Sequence, residues 1–190
     1  MYKQLIKDDK FKEVIKKTAS IEKIPVKDIE NGILKGECVI TANIKKKLGR
    51  PCVIGKGTTT KVNVNIGTST DKPDLKDELE KLEISVDLGA DAVMDLSLGG
   101  DLRKNRLAII KNSPLPIGTV PIYEAAMRAQ KNRGSFLKLE KNEIFDVLEE
   151  QAEDGVDFFT IHCGINHKSL DVFLKNRRVL DVVSRGGALL

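Results

Sequence analysis

The chain has 190 residues, with 32 Lys and Arg against 28 Asp and Glu, a net charge of +4, 41% hydrophobic and 32% charged residues. That balance fits one folded domain of ordinary size and excludes a disordered chain. No apolar run approaches the ~18–20 residues that a bilayer-spanning helix needs, so no membrane association is expected.

From Tyr2 to Glu22 the pattern predicts an amphipathic helix. The first residues, "MYKQLIKDDKFKEVIKK", are charged throughout and lack the apolar stretch of a secretory signal, so the cytoplasm is the expected location. Residues 23–58 are punctuated by Pro and Gly and show one short strand, "GECVITAN". Residues 1–58 therefore read as an N-terminal segment packed on a body formed by 59–190. The run Lys45-Lys46-Lys47 has no aromatic neighbours to stack on bases and reads as a solvated loop, with no nucleic-acid partner expected. "GKGTTTK" precedes a strand instead of opening a helix and lacks the Gly-Lys-Ser/Thr of a P-loop, so it matches neither nucleotide fingerprint.

A regular rhythm starts at Lys61. Lys61–Ile66 alternates as a strand, and "KPDLKDELEKLEISVDLGA" follows with Leu75, Leu79, Leu82 and Val86 on one helical face. "ADAVMDLS" reads as a strand and "DLRKNRLAIIKN" as a helix, with Asp101 as its N-cap. "LPIGTVPIY" is a strand closed by Pro121; 124–130 and 141–153 are helical. "VDFFTIHCG" is a fourth strand, "HKSLDVFLKN" a helix and "RVLDVVSRGG" a fifth strand. Strands alternating with helices predict a parallel α/β sheet, open or closed into a barrel.

The predicted strands end in polar or unusual residues: Asn65; Met94 with Asp95; Thr119 with Tyr123 just beyond; His162; and Ser184 with Arg185 and Gly186. Singly, each has a structural role available: Asn65 in a turn, Met94 in a core, Tyr123 at a helix start, His162 in a buried hydrogen bond, Arg185 in an ion pair. Together they fall at one end of a parallel sheet, where α/β barrels keep their sites. "SRGG" offers a hydroxyl, a guanidinium and close backbone, which suit an oxyanion.

"KVNVNIGTS", "GADAVMDLSLGGDL", "SPLPIGTVPIY", "EEQAEDGVDFFTIHCG" and "VSRGG", in that order, closely resemble the phosphomethylpyrimidine synthase family of thiamine biosynthesis. The resemblance spans roughly residues 30–190. It implies a TIM-type (βα)8 barrel, of which this chain holds about the first five βα strands. It also implies a radical S-adenosylmethionine lyase that turns aminoimidazole ribonucleotide into hydroxymethylpyrimidine phosphate. An iron–sulfur cluster, S-adenosylmethionine and zinc would be its cofactors. Carried over residue by residue, the substrate-binding positions are Asn65, Met94, Tyr123, His162, Ser184, Arg185 and Gly186. No catalytic residue is assigned.

The family's later part carries an Asp-Gly-Leu-Arg motif, a glutamate, zinc-binding histidines and a cluster-binding cysteine motif, none with a counterpart here. Cys38, Cys52 and Cys163 are too widely spaced for a cluster motif, and His162 and His167 are the only histidines. The expectation is that this chain by itself binds no cluster or zinc and is inactive alone. "ITAN" and "TTTK" are smaller departures from the family. Five strands leave an eight-stranded barrel open, so a homo-oligomer or a chain that completes the barrel is expected. A non-catalytic ribonucleotide-binding relic, or half of a split enzyme, is the alternative. A Schiff-base aldolase is weakly supported, because no lysine stands at a strand end.

Overall fold

The computed structural model describes residues 8–176, 179–180 and 182–184. Two helices come first. In α1 (Asp9–Glu22), the Asp8 side chain accepts from the Phe11 N–H at 3.1 Å, and Lys23 closes the helix with left-handed backbone, φ 57°. In α2 (Val26–Lys35), Pro25 precedes the first turn and Gly36, φ 71°, ends it. The second helix is a correction to the irregular segment expected over 23–58. Pro25 and Gly36 read as breaks in the sequence, yet these are the residue types that open and close a short helix.

Strands β1 (Cys38–Thr41) and β2 (Cys52–Gly55) form an antiparallel pair in which Val39 faces Ile54 and Thr41 faces Cys52. Ile15, Ala19, Ile29, Ile33 and Val53 make the core between this pair and the two helices.

The main sheet is parallel and four-stranded, in the order β3 (Asn63–Ile66), β4 (Ala92–Asp95), β5 (Ile117–Thr119), β6 (Phe158–Phe159). Between these strands lie α3 (Leu75–Asp87), α4 (Leu102–Asn112), α5 (Pro121–Arg133) and α6 (Lys141–Asp154), with a 3-10 turn at Phe136–Lys138; α7 (His167–Lys175) follows β6. Asp101 caps α4 as expected, accepting from the Lys104 N–H at 3.0 Å. One face of the sheet packs on α3 and α4 through Ile66, Leu82, Val93, Ile109 and Ile117. In α3 the most buried positions are Glu78, Leu82 and Ser85, so the inward stripe is more polar than Leu75, Leu79, Leu82 and Val86 alone suggested.

Two expected strands differ. The strand expected over "VDFFTIHCG" pairs only at Phe158–Phe159, with one more ladder bond from the Thr160 N–H to the Thr119 carbonyl at 2.9 Å. In the stretch expected to be the fifth strand, the described residues 179–180 and 182–184 lie in no strand. Among the described residues β6 is the last strand of the sheet, so no described neighbour extends its pairing on the far side.

The N-terminal helices and hairpin are tied to the floor of the sheet, where its strands begin. Glu22 of α1 pairs with Lys61 at 2.8 Å and accepts from the Thr59 N–H and hydroxyl at 2.9 and 3.0 Å. Asp157, just before β6, accepts from the Asn43 and Ile117 N–H groups, each at 2.7 Å, and lies 2.5 Å from Lys46. Burial pushes the Asp157 carboxyl up, opposed by Lys46 and those two N–H groups. Among the described residues no helix is long and apolar enough to cross a membrane.

Candidate functional site at the strand ends

Parallel register places Asn65 beside Met94, Met94 beside Gly118, and Gly118 beside Phe158. Register partners share a face, so these four make one row across the side of the sheet away from α3 and α4. Asn65 is exposed, and its Oδ1 accepts from Asn63 Nδ2 at 3.1 Å. The Met94 sulfur accepts from the Thr160 hydroxyl at 3.6 Å. Gly118 carries no side chain, and the Phe158 ring occupies the space beside it. The row thus offers an amide, a polarisable thioether and an aromatic ring on one uncovered face.

His162 lies beyond the end of β6, not within it. Its Nε2 is 3.2 Å from the Ser184 Oγ, and its Nδ1 is buried without a hydrogen-bond partner among the described residues. Two of the candidate pairs are therefore neighbours: Asn65 with Met94, and His162 with Ser184. Arg185 and Gly186 lie outside the described residues. Tyr123 sits in the first turn of α5 and lines a narrow cavity of about 20 Å³ with Asp95, Arg106, Thr119 and Gln151. It thus stands at the ends of β4 and β5, in a different recess from Asn65.

That cavity borders a buried polar network. Arg106 donates to Glu124 at 2.6 Å and to Asp154 at 2.7 Å, and Gln151 donates to Glu124 at 2.6 Å. Thr119, a polar strand end, turns away from the open face and donates to Gln151 at 2.6 Å. It serves helix packing. Burial pushes the Asp95 carboxyl up, against hydrogen bonds from Ser97 that favour its charged form.

A separate hollow of about 460 Å³ lies along the ends of β3 and β4, lined by Asn65, Thr68, Ser69, Thr70, Lys81 and Leu98. Its wall is held from behind: buried Glu78 accepts from the Gly67 N–H at 2.6 Å and pairs with Lys81 at 2.6 Å. Gly67 has φ 146°, and a Cβ there would lie 2.5 Å from the backbone of Leu96 and Ser97. Glu78, Ser97 and Arg106 were not among the candidates from sequence. The Asp95-x-Ser97 spacing was a legible signal, since an aspartate favours a turn closed two residues on. Glu78 and Arg106 look like ordinary helix-surface charges until packing buries them.

The described residues do not fit the family's metal groups. Cys38 is half-buried and its thiol donates to the Ile29 carbonyl at 3.6 Å. Burial pushes the Cys52 thiol up to about 11, and Cys163 stands exposed elsewhere. Among the described residues no three His, Cys, Asp or Glu side chains converge as metal ligands.

The radical SAM ThiC family model matches residues 3–190. The chain is 49% identical over 178 residues to the phosphomethylpyrimidine synthase of Thermodesulfovibrio yellowstonii, covering 94% of this chain and 42% of that relative. Against the phosphomethylpyrimidine synthase of a Thermoanaerobacter species it is 50% identical, covering 90% of this chain and 39% of the relative. The Methanococcus vannielii protein of the same name is 49% identical over 94% of this chain and 42% of its own length. The chain thus spans about two fifths of the curated relatives it matches. With the family model covering nearly all of its length, the chain belongs to the radical SAM ThiC family.

Proposed function

We infer that the chain forms the first part of a phosphomethylpyrimidine synthase and supplies part of its site for aminoimidazole ribonucleotide. The parallel sheet would be the start of a (βα)8 barrel, with the row Asn65–Met94–Gly118–Phe158 facing its interior. The observation that carries this reading is the placement of Asn65 and Met94 side by side on the uncovered face of the sheet, at the ends of adjacent parallel strands.

The Asn65 amide can donate to and accept from polar atoms of the ligand, while the Met94 thioether packs against a flat ring. His162, hydrogen-bonded to Ser184, would meet the ligand beyond the end of β6. Ser184, Arg185 and Gly186 would hold the phosphate through a hydroxyl, a guanidinium and backbone N–H. Tyr123 would contribute from the start of α5. In the family the cluster and S-adenosylmethionine supply the radical chemistry. The described residues do not fit the cluster or zinc, and no step is assigned through them. The open edges of the sheet would pair with a further part of the barrel, on the same chain or another.

The test is calorimetric titration of aminoimidazole ribonucleotide into the native protein, isolated at its full cellular length. Asn65→Ala and His162→Ala are each expected to weaken binding about tenfold or more, as loss of a ligand hydrogen bond does. No binding by the unaltered protein would overturn the reading. The 190-residue chain supplied with S-adenosylmethionine and a reconstituted cluster is expected to yield no hydroxymethylpyrimidine phosphate.

A further inference from the structure

The loops that follow β3 and β4 are bound to each other more tightly than loops at a sheet's open end require. The Leu96 N–H donates to the Ile66 carbonyl and the Leu98 N–H to the Thr68 carbonyl, both at 2.8 Å, which continues the strand ladder into the loops. Side chains lock the same segments. The Thr68 N–H donates to the Ser97 hydroxyl at 3.1 Å, and that hydroxyl donates to Asp95 Oδ1 at 2.5 Å. Asp95 Oδ1 also accepts from the Ser97 N–H at 3.0 Å. The Thr68 hydroxyl donates to the Gly99 carbonyl at 2.7 Å, and Asn105 Nδ2 donates to that carbonyl at 3.2 Å.

Thr68, Asp95, Ser97 and Asn105 are all buried, at 2%, 7%, 9% and 5% exposure. A hydrophobic core gains nothing from placing a carboxylate, two hydroxyls and an amide together, because each must be desolvated. What the cluster does gain is a fixed geometry. Asp95 directly follows Met94, and Thr68 stands a few residues beyond Asn65. The two strand ends that carry the candidate ligand contacts are thereby clamped at a single register.

We propose that the relay Thr68–Ser97–Asp95 is a positioning device that presents Asn65 and Met94 to the ribonucleotide as one preformed surface. The proposal rests on the ribonucleotide reading above. The side chains of Thr68, Ser97 and Asp95 are buried, and the hydrogen bonds that link them run within the two loops and β4. They act by holding the loops, and Ser97 is the joint, because its hydroxyl both accepts from one loop and donates to the other strand's carboxylate. A preformed surface spares the ligand the entropy of ordering two loops.

The experiment compares Ser97→Ala, which removes the joint, with Ser97→Thr, which keeps a hydroxyl, in the native full-length protein. Aminoimidazole ribonucleotide affinity is measured by calorimetry, and amide exchange of the segment around Thr68 by mass spectrometry. Expected for Ser97→Ala are a loss of affinity of about tenfold, faster exchange around Thr68, and unchanged exchange in the α1–α2 core. Ser97→Thr is expected to recover most of both changes; a merely structural defect at this position would not be rescued by a larger side chain. Binding by Ser97→Ala within twofold of the unaltered protein overturns the proposal alone, and so does exchange around Thr68 that does not change. Absence of binding by the unaltered protein overturns the ribonucleotide reading, and this proposal with it.

Discussion

Phe158 lies against Gly118, its register partner on the neighbouring strand, so closely that a Cβ on Gly118 would clash with the near edge of the aromatic ring. The missing side chain on β5 is thus the seat of the ring on β6. Gly118→Ala is expected to push the ring aside and to destabilise the sheet by about 1–3 kcal/mol, the usual range for overpacking. Urea unfolding checks this. The double variant with Phe158→Leu should recover part of the loss, since the smaller side chain frees the space. Equal losses in the single and double variants would show that the ring is not the obstacle.

Gly99 faces a harder obstacle. A Cβ there would overlap the Ser69 carbonyl oxygen, a backbone atom that cannot swing away as a side chain does. Gly99→Ala is expected to force the two loops apart and to destabilise the chain by about 1–3 kcal/mol. It should also weaken aminoimidazole ribonucleotide binding, measured by calorimetry, if the loops present the site. A variant as stable and as tightly binding as the unaltered protein would contradict the close approach.

Glu22 and Lys61 form a pair whose side chains are 3% and 9% exposed, joining α1 to the lead-in of β3. Burial pushes the Glu22 carboxyl up, but Lys61 and the Thr59 N–H and hydroxyl outweigh it and hold the group below its ordinary range. A carboxyl so depressed contributes stability that is present above its unfolded value and is lost as the pH falls through its folded value. Glu22→Gln removes the charge and leaves Lys61 unpaired. It is expected to cost about 3 kcal/mol at neutral pH. The gap from the unaltered protein should begin to narrow as the pH falls below the ordinary glutamate value of about 4.3, where the unfolded carboxyl takes up its proton before the native one does. Urea unfolding from pH 7 to pH 3 measures the gap, and one that stays constant would rule out the ion pair as its source.

The three thiols are expected to react at different rates. Cys163 is exposed, Cys52 is buried with its thiol pushed up to about 11, and burial also pushes Cys38 up. Thiolate is the reactive form, so an aromatic disulfide reagent at neutral pH should label Cys163 first. Cys38 and Cys52 should become fully reactive on unfolding. Peptide mapping after a short exposure identifies the labelled residue; early labelling of Cys52 would mean that β2 opens readily.

The strand–helix rhythm was legible from Lys61 onward because periodicity is local. The alternation of β3 and the apolar spacing of α3 reflect which residues can face a core, whatever the core is. Asp101 as a cap was legible for the same reason, since its bond reaches only to Lys104. The α2 helix was hidden because Pro25 and Gly36 mark helix ends as readily as turns.

The long-range pairings were not legible. Glu78 and Arg106 look in sequence like solvent-facing helix charges, and only packing reveals that one holds Gly67 and the other joins Glu124 to Asp154. Thr119 and Tyr123 look equivalent to Asn65 and Met94 by position, yet Thr119 turns to Gln151 behind the sheet. By itself the sequence determined the family, the alternation of strands and helices, and the strand-end residue types. Only the tertiary structure decided which of those residues meet. Register and burial depend on partners many residues away, and a hydrogen bond such as Thr68 to Ser97 has no local signature until two strands lie side by side.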